Sequence, residues 1–366
     1  MINNEAIEDR RLTFRHDNGF HAELRRRVDE YFDRTGRRQR DCPEMYLKTA
    51  IILLAFFGTY VGLVFFAATW WQALGLSLLL GLTMAAIGFT IEHDGGHQSY
   101  SNHRWVNRVM AMTLDLLGAS SYVWHWKHDV THHTYVNITG HDVDIEVGFI
   151  GRLSPHQKHF GFHRWQHFYL WPLYGLNVIK WQLYDDFRDV ILGRIGARKI
   201  PRPSPLGWVY FIGAKLVFFA MAFVIPLMLH SSLTVLMVYV ATSFTAGIIV
   251  SVVFQLAHCV EEAEFSVPKE NSSVMETTWA IHQVETTVNF ARHSKLQSWF
   301  LGGLNFQVEH HLFPRICHVN YPQISQLVEE TCREYGVKYR QHPTFRLGLA
   351  SHFRWLRRMG TAPASS

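Results

Sequence analysis

The sequence predicts an all-α integral membrane protein, with four transmembrane helices in two hairpins and a cytosolic helical cap that holds a histidine-rich metal site. Three observations predict it. Four apolar stretches are each long enough to cross a bilayer. They come in two pairs, each pair joined by three residues. Histidines gather just beyond the second and fourth stretches and again near the C-terminus.

At 366 residues the chain has room for one or two domains. Hydrophobic residues make up 48% and aromatics 14%, yet mean hydropathy is near zero, so apolar and polar segments are strongly segregated. Cys42, Cys259, Cys317 and Cys332 form no CxxC pattern, and reduced thiols are expected. No nucleic-acid partner is expected from a net charge of +5 that is spread over three polar segments.

Residues 1–46 read as a basic cytosolic segment without a secretory signal. Within it Leu24, Val28, Tyr31 and Phe32 recur at helical spacing, which predicts a helix over 19–34 lying on the protein or membrane surface. The segment is too short for a fused haem domain and lacks His-Pro-Gly-Gly, so the redox partner is expected to be a separate protein.

Residues 47–91 form the first hairpin, with spans at 47–69 and 73–91 around Trp70, Trp71 and Gln72. Residues 92–206 form a long polar insert carrying the first two histidine motifs. Its aromatic stripe from Phe160 to Tyr184 reads as core packing or an interfacial belt. Residues 207–257 form the second hairpin, with spans at 207–229 and 233–257 around His230, Ser231 and Ser232. Lys215, inside the third span, is expected to snorkel to the interface. Residues 258–366 complete the chain.

Of 35 Lys and Arg, ten lie in 1–46, twelve in 92–206 and eleven in 258–366, with only Lys48 and Lys215 elsewhere. That asymmetry predicts cytoplasmic termini and a cytoplasmic insert, for which a bacterial cell membrane is expected. Every histidine motif then faces the cytosol, and the spans as drawn contain no histidine.

The motifs are His93-Asp94-Gly95-Gly96-His97, His128-Asp129-Val130-Thr131-His132-His133 and Gln307-Val308-Glu309-His310-His311. Positions four apart share a helical face, so His93/His97 and His128/His132 can each present two imidazoles to one point. His133 lies about 100° further round and could reach a second metal. His258 leaves the fourth span as His93 leaves the second. Neutral imidazole suits Fe, Zn and Cu, and eight imidazoles are too many for one ion but fit two. Gln307 stands on the face of His310, where a further ligand or a water-holding group is expected. Asp94, Asp129, Asp142 and Asp144 can orient ligand imidazoles through their free N–H, and Glu309 is a similar candidate. Asn289 and Gln255 could hold a water on the metal. His103, His125, His141 and His282 lie near the motifs but outside them, and His163, His167, His318, His342 and His352 read as ordinary surface or interface residues. No Glu-x-x-His occurs, so the site is not a carboxylate-bridged bundle.

HxxxH, HxxxHH and QxxHH with two hairpins between them resemble the membrane fatty acid desaturases. The Gln-opened third motif resembles their front-end branch, and the match is nearest the delta-6 acyl-lipid type. Val28-Asp29-Glu30-Tyr31-Phe32, Gly140-His141-Asp142-Val143-Asp144-Ile145, Thr286-Thr287-Val288-Asn289-Phe290 and Gly302-Gly303-Leu304-Asn305-Phe306 carry the likeness further along the chain. The resemblance implies a di-iron site (Fe2+/Fe3+) liganded by His93, His97, His128, His132, His133, His258, His310 and His311. It also implies O2 as co-substrate, an acyl lipid or acyl-CoA substrate in a kinked tunnel, and a ferredoxin-type or cytochrome b5-type electron donor. Related histidine-motif proteins hydroxylate or act on sphingolipids, and that alternative stays open. A metal transporter would need ligands within the spans.

Overall fold

The computed structural model describes residues 12–269 and 272–361. These are mostly helical; among the described residues strands occur only as three two-stranded pairs, such as Thr13–Arg15 beside Val274–Thr278. Among the described residues four helices are long and apolar enough to cross a membrane: Pro43–Phe66, Trp70–Gly96, Pro205–Leu227 and Ser232–His258. Local chemistry sets where each begins. Pro43 and Pro205 occupy the first turn, where a missing N–H costs nothing. Ser204 and Ser231 cap the third and fourth helices through their hydroxyl oxygens.

Two expectations about the spans need correction. Trp70, Trp71 and Gln72 are not a loop. Thr69 and Gln72 form a reciprocal capping box, so the second helix starts at Trp70. Nor do the spans stop short of the histidines: the second runs through a widened, π-helical stretch at Ile87–Glu92 into His93–Gly96, and the fourth includes His258. Those ligand candidates are thus carried by the span helices themselves.

The second and fourth spans pack side by side because small residues let them touch. A Cβ on Gly81 would lie 2.5 Å from the Thr242 carbonyl oxygen. Gly247 likewise lets the fourth span meet the insert, where a Cβ would lie 2.4 Å from the Gly175 carbonyl oxygen. Tyr60 donates to the Met221 carbonyl at 2.9 Å, tying the first span to the third. His230 donates to the Val64 carbonyl at 2.7 Å, joining the turn between the third and fourth spans to the end of the first span, remote from the histidine motifs. Leu54, Phe66, Val209, Leu216 and Leu233 point outward, as faces toward lipid should.

Lys215 does not snorkel. It is buried, 2.8 Å from Asp186 and 2.6 Å from the Gly118 carbonyl, which supply the counter-charge and acceptor that water would otherwise provide. The predicted N-terminal helix spans Phe20–Thr35 and buries Phe20, Leu24, Val28 and Phe32. Those side chains pack on Val308, Leu312, Phe306 and Tyr321, so the helix covers the third motif rather than a membrane surface. In the aromatic stripe Leu170 and Tyr174 join the core with Trp355 and Leu356, while Phe162, Trp165, Phe168 and Tyr184 are exposed. All four cysteines are buried and free.

Candidate metal centre

Each motif is held by a different piece of chain. His93 and His97 sit at the end of the second span, with two glycines between them that admit neighbours. A Cβ on Gly95 would lie 2.5 Å from the Ala111 nitrogen, and one on Gly96 2.3 Å from the Trp124 ring. His128 and His132 lie on a π-helical stretch, His125–His132, and His133 follows it directly. His310 and His311 lie on the short helix Gln307–Leu312, anchored where the Val308 N–H donates to Asn289 Oδ1 at 2.9 Å. His258 closes the fourth span.

The eight imidazoles converge into two groups that touch. Ligand atoms of His93, His97, His128 and His310 lie within 4.8 Å of one another, as do those of His132, His258 and His311. His133 stands between them, its ring centroid 4.4 Å from that of His97 and 4.3 Å from that of His311. His93 and His97 fall in one group. His128 joins that group and His132 the second, and these two, carried on the same π-helical stretch, also share a cluster with Asp144.

In every one of the eight, Nε2 is buried without a hydrogen-bond partner among the described residues. Such an array is costly unless a cation takes the lone pairs. The opposite ring nitrogens show which atom faces inward. His132 Nδ1 donates to Asp142 at 3.0 Å, and His311 Nδ1 donates to Gln283 Oε1 at 2.8 Å. His310 Nδ1 lies 3.3 Å from Tyr321 Oη and His97 Nδ1 3.2 Å from Asp129. A proton held on Nδ1 leaves Nε2 free to ligate. Burial, then the neighbouring imidazoles, push the pKa values of His97, His133, His310 and His311 well below the ordinary range, which keeps them neutral. His132 is the exception. Burial opposes its protonation, but the charge and hydrogen bond of Asp142 raise its pKa. Four imidazoles and three, bridged by an eighth, suit two transition-metal ions.

The acidic residues around the motifs divide. Asp129 stands between His97 and His125, 2.8 Å from His125 Nδ1. Asp144 pairs with Lys127 at 2.9 Å and lies 3.8 Å from both His128 and His132. Asp94 accepts from His318 Nδ1 at 2.9 Å, so its carboxylate is engaged by a histidine outside the eight. Asn289 donates through its amide to Glu309 and Tyr339, and its oxygen accepts the Val308 N–H. Glu309 is buried with those partners rather than solvated or facing an imidazole, and burial raises its pKa to about 7. Gln307 and Gln255 are buried with Oε1 unpartnered among the described residues. His282 donates to the Val136 carbonyl at 2.8 Å. His163, His167, His318, His342 and His352 are buried, not surface residues. Gln283 and Tyr321 escaped the sequence reading, since neither stands within a motif.

The fold and this cluster define a protein with membrane-crossing helices that gathers imidazoles for metal. The family model for "Fatty acid desaturase" matches residues 68–343. The sn-1 linoleoyl-lipid 6-desaturase of Synechocystis sp. is 41% identical over 96% of this chain and 98% of its own length. Its namesake from Arthrospira platensis is 38% identical over 96% of both. The acyl-lipid (8-3)-desaturase of Physcomitrium patens is 36% identical over 93% of this chain and 72% of its own. The chain belongs to the fatty acid desaturase family and is a fatty acyl desaturase, an oxidoreductase of lipid metabolism.

Proposed function

We propose that this desaturase is a front-end enzyme that converts linoleoyl to gamma-linolenoyl chains on a lipid, using O2 and two irons. The observation that carries the metal assignment is the set of eight buried Nε2 atoms without partners among the described residues. The delta-6 assignment rests on the two linoleoyl-lipid 6-desaturases matched over nearly the whole chain. His93, His97, His128 and His310 would hold one iron and His132, His258 and His311 the other, with His133 between them. Bound there, the irons would supply the one-electron redox chemistry with O2 that removes hydrogen from unactivated carbon.

The rest falls to the chain. Asp142 and Gln283 hold His132 and His311 in the tautomer that turns Nε2 inward. Gln307 Oε1 is available to a water or to the metal. Two hydrogens leave adjacent carbons, and O2 takes them with two further electrons and two protons to give two waters. The electrons must therefore come from outside, from a ferredoxin-type or cytochrome b5-type donor on the basic cytosolic face.

In this reading the four spans form two hairpins, Pro43–Gly96 and Pro205–His258. The described segments before, between and after them build the cytosolic cap. A reporter fused after the last residue should give a cytoplasmic phenotype and one at Ser231 the opposite; matching signals would break the topology. The deciding experiment is expression in a host fed linoleate, with double bonds mapped by mass spectrometry. A new bond at delta-6 is expected, and an 18-carbon product with the bond elsewhere, or a hydroxyl group, would overturn the assignment. Metal analysis of the pure protein should give close to two Fe per chain.

A further inference from the structure

Three buried side chains outside the proposed ligand set form a chain of contacts. Lys48 on the first span, His318 after the third motif and Asp94 within the first are each 3% exposed or less. Lys48 Nζ lies 2.8 Å from His318 Nε2, and His318 Nδ1 lies 2.9 Å from Asp94 Oδ2. The His318 backbone N–H also donates to that oxygen, at 3.3 Å.

The arrangement fixes its own chemistry. An ammonium only donates, so His318 Nε2 is the acceptor and the ring proton sits on Nδ1, facing a carboxylate that only accepts. Asp94, Cys317 and His318 are close enough to resemble a further metal site. The ammonium on His318 Nε2 argues against that, because it keeps the ring proton on Nδ1, the nitrogen that faces Asp94 and would have to ligate. A cation, a neutral imidazole and an anion in line leave no net charge buried.

Its place gives it a purpose. Asp94 shares one helical turn, His93–Gly96, with His93, and His97 follows at once. The other two residues of that turn are glycines, closed in by Ala111 and Trp124 and without side chains to grip. Asp94 is thus the one side chain between the two histidines that can fix the turn's rotation about its axis. The turn needs such a grip, since it follows a π-helical stretch whose register differs from that of the helix before it.

We propose that His318 is a positioning residue, which through Asp94, and braced by Lys48, aims His93 and His97 at the first metal. This rests on the two-iron reading, and the parent protein tests that reading separately: a parent with no stoichiometric iron would sink it before any variant is compared.

The experiment compares the parent with His318→Leu, His318→Gln and Lys48→Met, each purified in detergent and checked by size exclusion and thermal melting. In His318→Leu we expect iron binding at one of two sites to weaken about 10–100-fold, leaving close to one tightly held iron. The spectroscopic signature of the iron pair should fall with it, and kcat should drop while KM for the acyl substrate stays. His318→Gln, whose amide offers both a donor and an acceptor, should restore iron and signature in large part. Lys48→Met should resemble His318→Leu in direction. Should His318→Leu fail to fold, Lys48→Met and His318→Gln carry the test. Full iron, parent kcat and an unchanged signature in the folded variants would overturn the proposal. Equal loss of both irons in His318→Gln and Lys48→Met would do so too, since it would mean general loosening of the cap.

Discussion

Gln283 and His311 meet at 2.8 Å, amide oxygen to Nδ1, with neither side chain reaching solvent. The bond joins two helices that are separate in sequence, Trp279–Thr286 and Gln307–Leu312. It also chooses the tautomer of His311, and its loss leaves that choice open.

Gln283→Leu should therefore weaken iron retention in the group of His132, His258 and His311 by about 10–100-fold. Gln283→Glu, which still accepts, should keep most of it. Titration of the apo-protein with ferrous ion measures both, and equal affinity in parent and Gln283→Leu would count against tautomer control.

His258→Ala should lose iron and activity while still inserting in the membrane, because its ring packs 4.7 Å from His132 and 5.0 Å from His311. His282→Ala is the control. It loses a bond to the Val136 carbonyl, so it should cost stability of about 1–3 kcal/mol yet keep most of the iron. Equal iron loss in the two would point to the wrong histidine.

Gln307→Ala should abolish desaturation or nearly so with only partial loss of iron, since the eight imidazoles remain. Product analysis with linoleoyl substrate decides the matter; turnover at the parent rate would make Gln307 a bystander.

The Lys215–Asp186 pair predicts a sharp non-additivity. Asp186→Ala strands a buried ammonium and should destabilise by about 3–5 kcal/mol. The double change Lys215→Met with Asp186→Leu removes both charges and should sit near the parent. Thermal melting in detergent separates these outcomes, and similar losses in single and double variants would show that the pair's charge is not what matters.

How much was legible in the sequence depends on how far apart the cooperating residues lie. Long apolar stretches, i, i+4 histidines, adjacent histidine pairs and the place of His258 at a span end are local signals, and they announced the spans and the eight imidazoles. The assignment of His128 and His132 to different groups was hidden, because a π-helical stretch leaves no mark in a spacing rule built on 3.6 residues per turn. Lys215 looked stranded because Asp186, its partner, sits in the preceding polar insert. Lys48, Asp94 and His318 could not be joined in advance, since Asp94 and His318 are separated by 224 positions. Asn289 and Glu309 were read as site-facing polar groups, whereas they satisfy each other behind the third motif.

The contact at Gly81 has a consequence for life in a changing membrane. The second and fourth helices end in His93, His97 and His258, and they are clamped backbone to backbone well below those ends. Cells that alter fatty-acid length or unsaturation change bilayer thickness, and loosely paired helices respond by tilting. Two helices held together at a glycine should tilt as one body and keep the separation of their histidine-bearing ends. An enzyme that remodels its own solvent should thereby be insulated from the product it releases. Gly81→Val should remove that insulation, making activity depend on the chain length of the surrounding lipid.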